Sequence, residues 1–389
     1  MASTWAATAN NETISFNNLQ NGVDTGVLSQ KAAIPASNEQ ITKADANIYV
    51  NIDTSFAPYA AKASNQLVVK SNLQSTVSVG TINNSPFNGI ANNETTSNPI
   101  QLISGEFDNN FGFIFRSTDY GVNYSSVLNI SNQLNKIKFM PAFRHASYLT
   151  VPPFVSVGWN GRIVTNSVTA ATSWITISSP TIRELIDIGF NSSGVGIIVG
   201  DNRIIKTDTN YRINSWSIVA SGAQIWRAVA SNGSTFVAVG DNSAIITGDS
   251  LGTTWTIRTL PAPLTLKNLR GITYHTDGFW YAAGSEASNQ SQHWIMRSSD
   301  NGVNWSEYVP TGVTNFGELR SINSIGGRLV LGGVNRQFQI FNNVATEYNT
   351  PSPLNRVICW QSIVKDANSN GFDMAGFTRP PAIGAYSNF

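Results

Sequence analysis

From about residue 76 onward the chain alternates short apolar, β-branched runs with polar turns, a strand pattern rather than a helical one. Six runs end on glycine: Phe154-Val155-Ser156-Val157-Gly158, Gly196-Ile197-Ile198-Val199-Gly200, Phe236-Val237-Ala238-Val239-Gly240, Trp280-Tyr281-Ala282-Ala283-Gly284, Leu329-Val330-Leu331-Gly332-Gly333 and Phe372-Asp373-Met374-Ala375-Gly376. Taken as equivalent, these glycines stand 42, 40, 44, 49 and 43 residues apart, and Ile103-Ser104-Gly105 adds a seventh member 53 residues upstream. A repeat of about 40–50 residues holding several strands matches one blade of a β-propeller. The spacing therefore predicts an all-β, seven-bladed β-propeller over residues 76–389, with six blades as the fallback if the unit before residue 136 is not a blade.

One unit can be placed strand by strand. Ile225-Trp226-Arg227-Ala228-Val229 is the first strand, residues 235–240 the second, Ala244-Ile245-Ile246 the third and Trp255-Thr256-Ile257-Arg258 the outermost. The inner runs are apolar enough to be covered on both faces. First-strand text returns at Leu269-Arg270-Gly271-Ile272, Leu319-Arg320-Ser321-Ile322, Val357-Ile358-Cys359-Trp360 and Ile182-Arg183-Glu184-Leu185. The last unit ends on third-strand text at residues 382–387, which would leave an unpaired edge. A segment within residues 66–81, centred on Thr76-Val77-Ser78-Val79, is expected to supply the missing outermost strand.

A second repeat lies on the turns. Arg297-Ser298-Ser299-Asp300-Asn301-Gly302-Val303-Asn304-Trp305 is echoed at six of nine positions by Arg116-Ser117-Thr118-Asp119-Tyr120-Gly121-Val122-Asn123-Tyr124. Thr247-Gly248-Asp249-Ser250-Leu251-Gly252-Thr253-Thr254-Trp255 keeps the Asp, Gly and Trp with one residue inserted. A short Asp accepts backbone N–H bonds, the Gly supplies a positive φ, and the closing aromatic buries a large face. The expected role of Ser117, Asp119, Gly121, Tyr124, Asp249, Gly252, Trp255, Ser298, Asp300, Gly302 and Trp305 is therefore structural. The pattern S-x-D-x-G-x-x-W resembles the Asp-box (BNR repeat) of sialidases and of propellers without sialidase activity, where it implies a turn between a blade's third and fourth strands, away from the active site.

Residues 1–75 lack the repeat and read as a small, mostly β or irregular module. Ile14-Ser15-Phe16-Asn17-Asn18-Leu19-Gln20, Ile34-Pro35-Ala36-Ser37-Asn38-Glu39-Gln40-Ile41-Thr42-Lys43 and Asn65-Gln66-Leu67-Val68-Val69-Lys70-Ser71 resemble a leader on virion proteins of phages infecting Bacteroidota, crAss-like phages included. The resemblance covers about the first fifth of the chain and implies attachment to other virion proteins, in multiple copies or as a homo-oligomer.

Composition narrows the functional classes. Charged residues are 12% of the chain, about half the usual share, so Asn, Ser, Thr and Gly must cover the surface, as in durable virion parts and secreted lectins. The net charge is +1 with no basic run, which argues against nucleic acid as a partner. The single cysteine, Cys359, forbids an internal disulfide. No apolar stretch is long enough to insert in a membrane, and the opening residues lack the basic start and apolar centre of a signal peptide; assembly in a host cytoplasm and residence in the virion are expected.

No nucleophile elbow, phosphate loop, H-E-x-x-H or C-x-x-C motif occurs, so no catalytic residue and no cofactor is assigned. His145, His275 and His293 are too dispersed in sequence to suggest a metal site. Sialidase resemblance implies three arginines holding a carboxylate, yet the usual Phe/Tyr-Arg-Ile-Pro segment is missing. Arg183, Arg227, Arg270 and Arg320, with Arg356, could ring one end of a channel and bind an anion, although an Arg repeated in every blade more often bonds a neighbouring blade. Glu184 is the carboxylate to inspect for glycoside hydrolysis. Trp159, Tyr211, Trp280, Tyr281, His293 and Trp294 lie in or beside expected loops, and Trp159 and Trp294 are the candidates for stacking on a sugar. Trp174, Trp216, Trp255 and Trp305 read as packing residues. The combined expectation is a non-enzymatic virion protein of the tail or a tail fibre, presenting a propeller for receptor binding to a host-surface glycan or for contact with a virion protein. A virion-associated glycan hydrolase is the alternative, and an assembly factor similar to the propellers that help build photosystem II is a third reading.

Overall fold

Each apolar run becomes a strand that pairs antiparallel with the next in sequence, so the sheets grow by simple meander. The computed structural model describes residues 87–379 apart from 94–96, 108–110, 122, 141–153, 168–169, 208–214, 262–263, 266, 288, 290–291, 349–356 and 366–371, together with the strands Ile14–Ser15, Ile41–Thr42, Gln66–Ser71 and Val77–Thr81. Ile14–Ser15 and Ile41–Thr42 form a small parallel pair. Among the described residues every other regular element is a strand or a single 3-10 turn, Trp159–Gly161 or Asp241–Ser243, and no helix is long and apolar enough to cross a membrane.

The fold is a β-propeller: radial sheets whose first strands share the wall of one central cavity. Five sheets have four strands and one has six, where seven separate four-stranded blades were expected. The six-stranded sheet arises from two long strands. Gly196–Thr207 pairs through its first half with Leu185–Phe190 and through its second with Trp216–Ser231. Trp216–Ser231 in turn pairs through its later half with Thr235–Gly240. The latter half, with Thr235–Gly240, Ile245–Asp249 and Trp255–Arg258, follows the strand order read from the sequence.

The ladder glycines at 158, 200, 240, 284 and 333 share one geometric cause. Gly105, Gly158, Gly200, Gly240, Gly284, Gly333 and Gly376 pair in turn with Phe87, Leu134, Leu185, Trp226, Leu269, Leu319 and Trp360, and next to each pair the register shifts by a bulge. A bulge swings the backbone of the first strand toward its partner. A Cβ on Gly200 would then lie 2.0 Å from the carbonyl oxygen of Glu184, and one on Gly284 2.0 Å from that of Asn268. No side chain fits there.

This register corrects the alignment of two first strands. Leu185, not Ile182, is equivalent to Leu269, and Trp360, not Val357, plays that part in the last sheet. The four-residue resemblance misled because an apolar residue begins both the connecting loop and the strand.

The last sheet joins distant parts of the chain. Val357–Lys365 pairs with Phe372–Arg379, then with Gln66–Ser71 and finally Val77–Thr81, in the register Met374↔Val69 and Val69↔Val79. The region expected to add one outermost strand thus adds two, and Gln66–Ser71 holds the third position that residues 382–387 were expected to fill; the latter lie outside the described residues. The division expected at residue 75 falls between these two strands.

The core lies between sheets. One cluster joins Val237, Val239 and Ile245 to Leu269, Trp280, Met296 and Trp305 of the next sheet, and another joins Tyr281 and Ile295 to Leu319, Leu331 and Phe338. Each sheet is too thin to exclude water by itself, so its apolar faces are buried only by its neighbours. Burying one such large side chain stabilises by about 1.5–3 kcal/mol.

Candidate functional site

At one end of the cavity the bulge beside each ladder glycine leaves one residue of each first strand outside the pairing. These residues are Asn88, Asn135, Ile186, Arg227, Arg270, Arg320 and Gln361. Arg227, Arg270 and Arg320 therefore occupy equivalent places on successive strands, as expected. Arg183 does not: it precedes Leu185–Phe190, its side chain is 53% exposed, and it pairs with Asp201 at 3.2 Å. Arg356 lies outside the described residues.

Carboxylates at this end are engaged. Asp241 accepts from Arg227 through both oxygens, at 3.1, 3.1 and 2.6 Å, and lies 3.7 Å from Arg270 of the next sheet. Glu318 pairs with Arg320 at 2.6 Å. Glu184 accepts at Oε1 from Asn135 and from Trp159, both at 2.9 Å. Burial, and then the nearby Arg227, pull the Arg270 guanidinium down to about 10 despite Asp241.

Below the arginines the cavity encloses about 410 Å³, within the range of ligand-binding clefts. Lys136, Lys138 and Lys365 line it, with Asp187 as the one acidic lining residue among those described. The Lys136 ammonium reaches across the intervening strand to the carbonyl of Gln361 at 3.3 Å. On that strand Gly89 holds the place equivalent to Lys136. Burial pulls Lys136 down to about 8 against the attraction of Asp187. Asp187 accepts at Oδ2 from the Val229 backbone at 3.0 Å, tying Leu185–Phe190 to Trp216–Ser231 within the six-stranded sheet. The lysines were missed in the sequence. Their signal was the alternation in Leu134-Asn135-Lys136-Ile137-Lys138-Phe139, legible only once Leu134 is matched to Gly158.

The repeated turns sit at the outer part of the sheets. Ser117 Oγ accepts from Gly121 N at 2.8 Å and donates to Asp119 at 2.7 Å, while Asp119 accepts from the Asn123 backbone and side chain at 2.8 and 2.7 Å. Ser298, Asp300, Gly302 and Asn304 reproduce this network, at 3.0, 2.8, 2.8 and 2.7 Å. In the third turn Asp249 binds Thr253 N and Oγ1, both at 2.8 Å. The glycines have φ of 76°, 63° and 81° at Gly121, Gly252 and Gly302. Trp255 and Trp305 donate their indole N–H to Gly252 and Gly302 at 3.0 and 2.9 Å, and Tyr124 donates to Gln101. Gly252 abuts Ile197 of the same six-stranded sheet, and Gly302 abuts Val237 on the preceding sheet.

The aromatic candidates separate. Trp159 is 40% exposed on its 3-10 turn. Trp294 is half-buried against the core, its indole donating to Glu286 at 3.0 Å with the Lys267 ammonium 3.9 Å above its ring. Trp280 and Tyr281 open the strand Trp280–Glu286 beside the turn at His275–Phe279, as expected, but both are buried. His293 packs on Phe316 and accepts from its N–H at 3.3 Å, and His275 Nδ1 lies 2.7 Å from Ser324 Oγ. Tyr211 and His145 lie outside the described residues. Among the described residues no three His, Cys, Asp or Glu side chains group as metal ligands.

No protein-family model and no curated protein matches the chain. Among solved structures, one described as "YCF48 bound to D1 peptide" is similar at 14% identity and a TM-score of 0.42, covering 59% of this chain and 90% of its own.

Proposed function

We propose that the chain is a non-enzymatic structural protein of a phage virion, carried on the tail or a tail fibre. Residues 1–75 dock on other virion proteins, and a seven-bladed Asp-box propeller meets a host-surface glycan or a neighbouring virion protein. In this reading the six-stranded sheet is two blades run together by their long strands, and the last blade is completed by Gln66–Ser71 and Val77–Thr81. The virion assignment is supported by the resemblance of the leader, and the outward-facing role by the exposed indole of Trp159.

The observation that carries the non-enzymatic reading is that each carboxylate near the channel is held through at least one oxygen, although Oδ1 of Asp187, the acidic lining residue, has no hydrogen-bond partner. Glu184, Asp187, Asp241 and Glu318 each hold a neighbouring strand or an arginine. A glycosidase needs one carboxyl free to protonate a leaving group and a second to act on the sugar. Mass spectrometry of purified virions should recover peptides of this polypeptide; particles lacking it would remove the reading.

A second reading, a virion-associated glycan hydrolase, draws on Arg227, Arg270 and Arg320 at equivalent places around one mouth. It expects release of free sialic acid from sialyllactose, where the first reading expects none.

A further inference from the structure

We propose that the central channel binds a linear polyanion, threaded past a tier of arginines at one end and lysines along its length. The inference concerns the isolated chain and stands whether or not the protein belongs to a particle.

Charge balance is the first support. Six cationic side chains line the cavity, Lys136, Lys138, Arg227, Arg270, Arg320 and Lys365, against Asp187 alone among the described lining residues. The chain as a whole carries only +1, so the excess is local to the channel. Asp241 and Glu318 offset part of it at the arginine end, but Asp241 is already held by Arg227 when Arg270 meets it at 3.7 Å. The Nε groups of Arg270 and Arg320 are buried without a hydrogen-bond partner, and Lys136 has a neutral carbonyl at 3.3 Å.

Buried charges of one sign cost free energy that an opposite charge would recover. The depressed Lys136 and Arg270 report that cost. A cleft lined by one sign of charge between low-dielectric walls also focuses its field and concentrates counter-ions.

Geometry selects a chain of anions over a single one. The arginines stand at the bulge, Lys136 one residue further along its strand, Lys138 two beyond that, and Lys365 four residues past the bulge residue Gln361. At about 3.3 Å per residue the cations are spread over roughly 13 Å. One phosphate or carboxylate spans a fraction of that length, whereas linked oxyanions meet several cations and gain from their tethering. An acidic glycan and a polyphosphate share this chemistry.

Titration calorimetry on the full chain tests the proposal, with tetragalacturonate and tripolyphosphate as probes, galacturonate and orthophosphate as their monomers, and maltotetraose as the neutral control. At least one polyanion should bind about tenfold or more tightly than its monomer, with affinity falling as salt rises. The double variant K136Q/K138Q should lose about tenfold, and K136R/K138R should stay within about threefold of the parent. The probe that binds identifies the source, an acidic sugar or a polyphosphate. Polyanions binding no better than monomers, or as well to K136Q/K138Q as to the parent, would overturn the proposal. Should K136Q/K138Q fail to fold, the same comparison on R320Q decides it.

Discussion

At Asp300 a carboxylate finds its partners within four residues of chain, in Ser298 and Asn304. Across the propeller, at the channel wall, Arg270 reaches a carboxylate on another sheet that is already committed to Arg227. The turns therefore repeat because each is complete in itself, its Asp finding a partner four residues on whether that is Asn123, Asn304 or Thr253. The wall repeats only its backbone. Its ladder glycines are fixed by steric contact, while the bulge residue beside each is Asn, Ile, Arg or Gln from strand to strand. Repetition marks what holds the ring, and divergence marks the positions that packing leaves free to vary.

The contrast can be broken from the wall side first. Gly200→Val places a Cβ 2.0 Å from a carbonyl oxygen that cannot yield, so a loss of several kcal/mol is expected. Circular dichroism melts should show it as loss of the folded transition; a native melting temperature would contradict the steric account of the ladder. On the turn side, Trp305 is 5% exposed between two sheets. Trp305→Ala should cost about 3–5 kcal/mol by urea denaturation, and a change under about 1 kcal/mol would mean that the indole does not join those sheets.

Asp300→Ala should cost less, about 1–3 kcal/mol, by the loss of charge-assisted bonds to Asn304 and of the bond from Ser298. Partial burial raises the Asp300 carboxyl, but those hydrogen bonds outweigh it and hold the group below its ordinary value; Asp249 is lowered in the same way by Thr253 and Thr254. A depressed folded pKa contributes stability above the unfolded value of about 3.9, lost as pH falls through the folded value. Melting temperatures taken from pH 5 downward should thus fall more steeply for the parent than for D300N, and parallel curves would refute the linkage.

The smallest effect separates two arginines. Arg227→Ala leaves the part-buried Asp241 with a single distant partner and should cost about 1–3 kcal/mol. Arg183→Ala removes an exposed pair and should stay under about 1 kcal/mol. Equal losses would place Arg183 with the channel arginines after all.

The propeller was legible in the sequence because both of its repeats have steric causes: a glycine facing a carbonyl oxygen, and an Asp–Gly turn closed by an aromatic residue. The arginines at 227, 270 and 320 were legible for the same reason, lying one residue past an apolar residue that pairs with the ladder. Arg183 was misassigned because Ile182 and Leu185 are both apolar and text alone does not say which one begins the strand. The lysines at 136 and 138 escaped because no other unit has a lysine at either position. A side chain unique to one blade carries no periodic signal, and only the register shows that it faces the cavity. The six-stranded sheet was hidden too, since the polar residues from Ser221 to Gln224 read as a break and the backbone runs through them.

Gln66–Ser71 and Phe372–Arg379 are laid down about three hundred residues apart and become neighbours in one sheet. During synthesis the earlier strand waits through all the intervening sheets until Phe372–Arg379 is made. Closure over so long a loop costs little more than over a shorter one, because the entropy grows only with the logarithm of length. Gln66–Ser71, paired on one edge with Val77–Thr81, must nonetheless keep its other edge open in the meantime, and protease cuts within 66–81 of stalled nascent chains would reveal that wait.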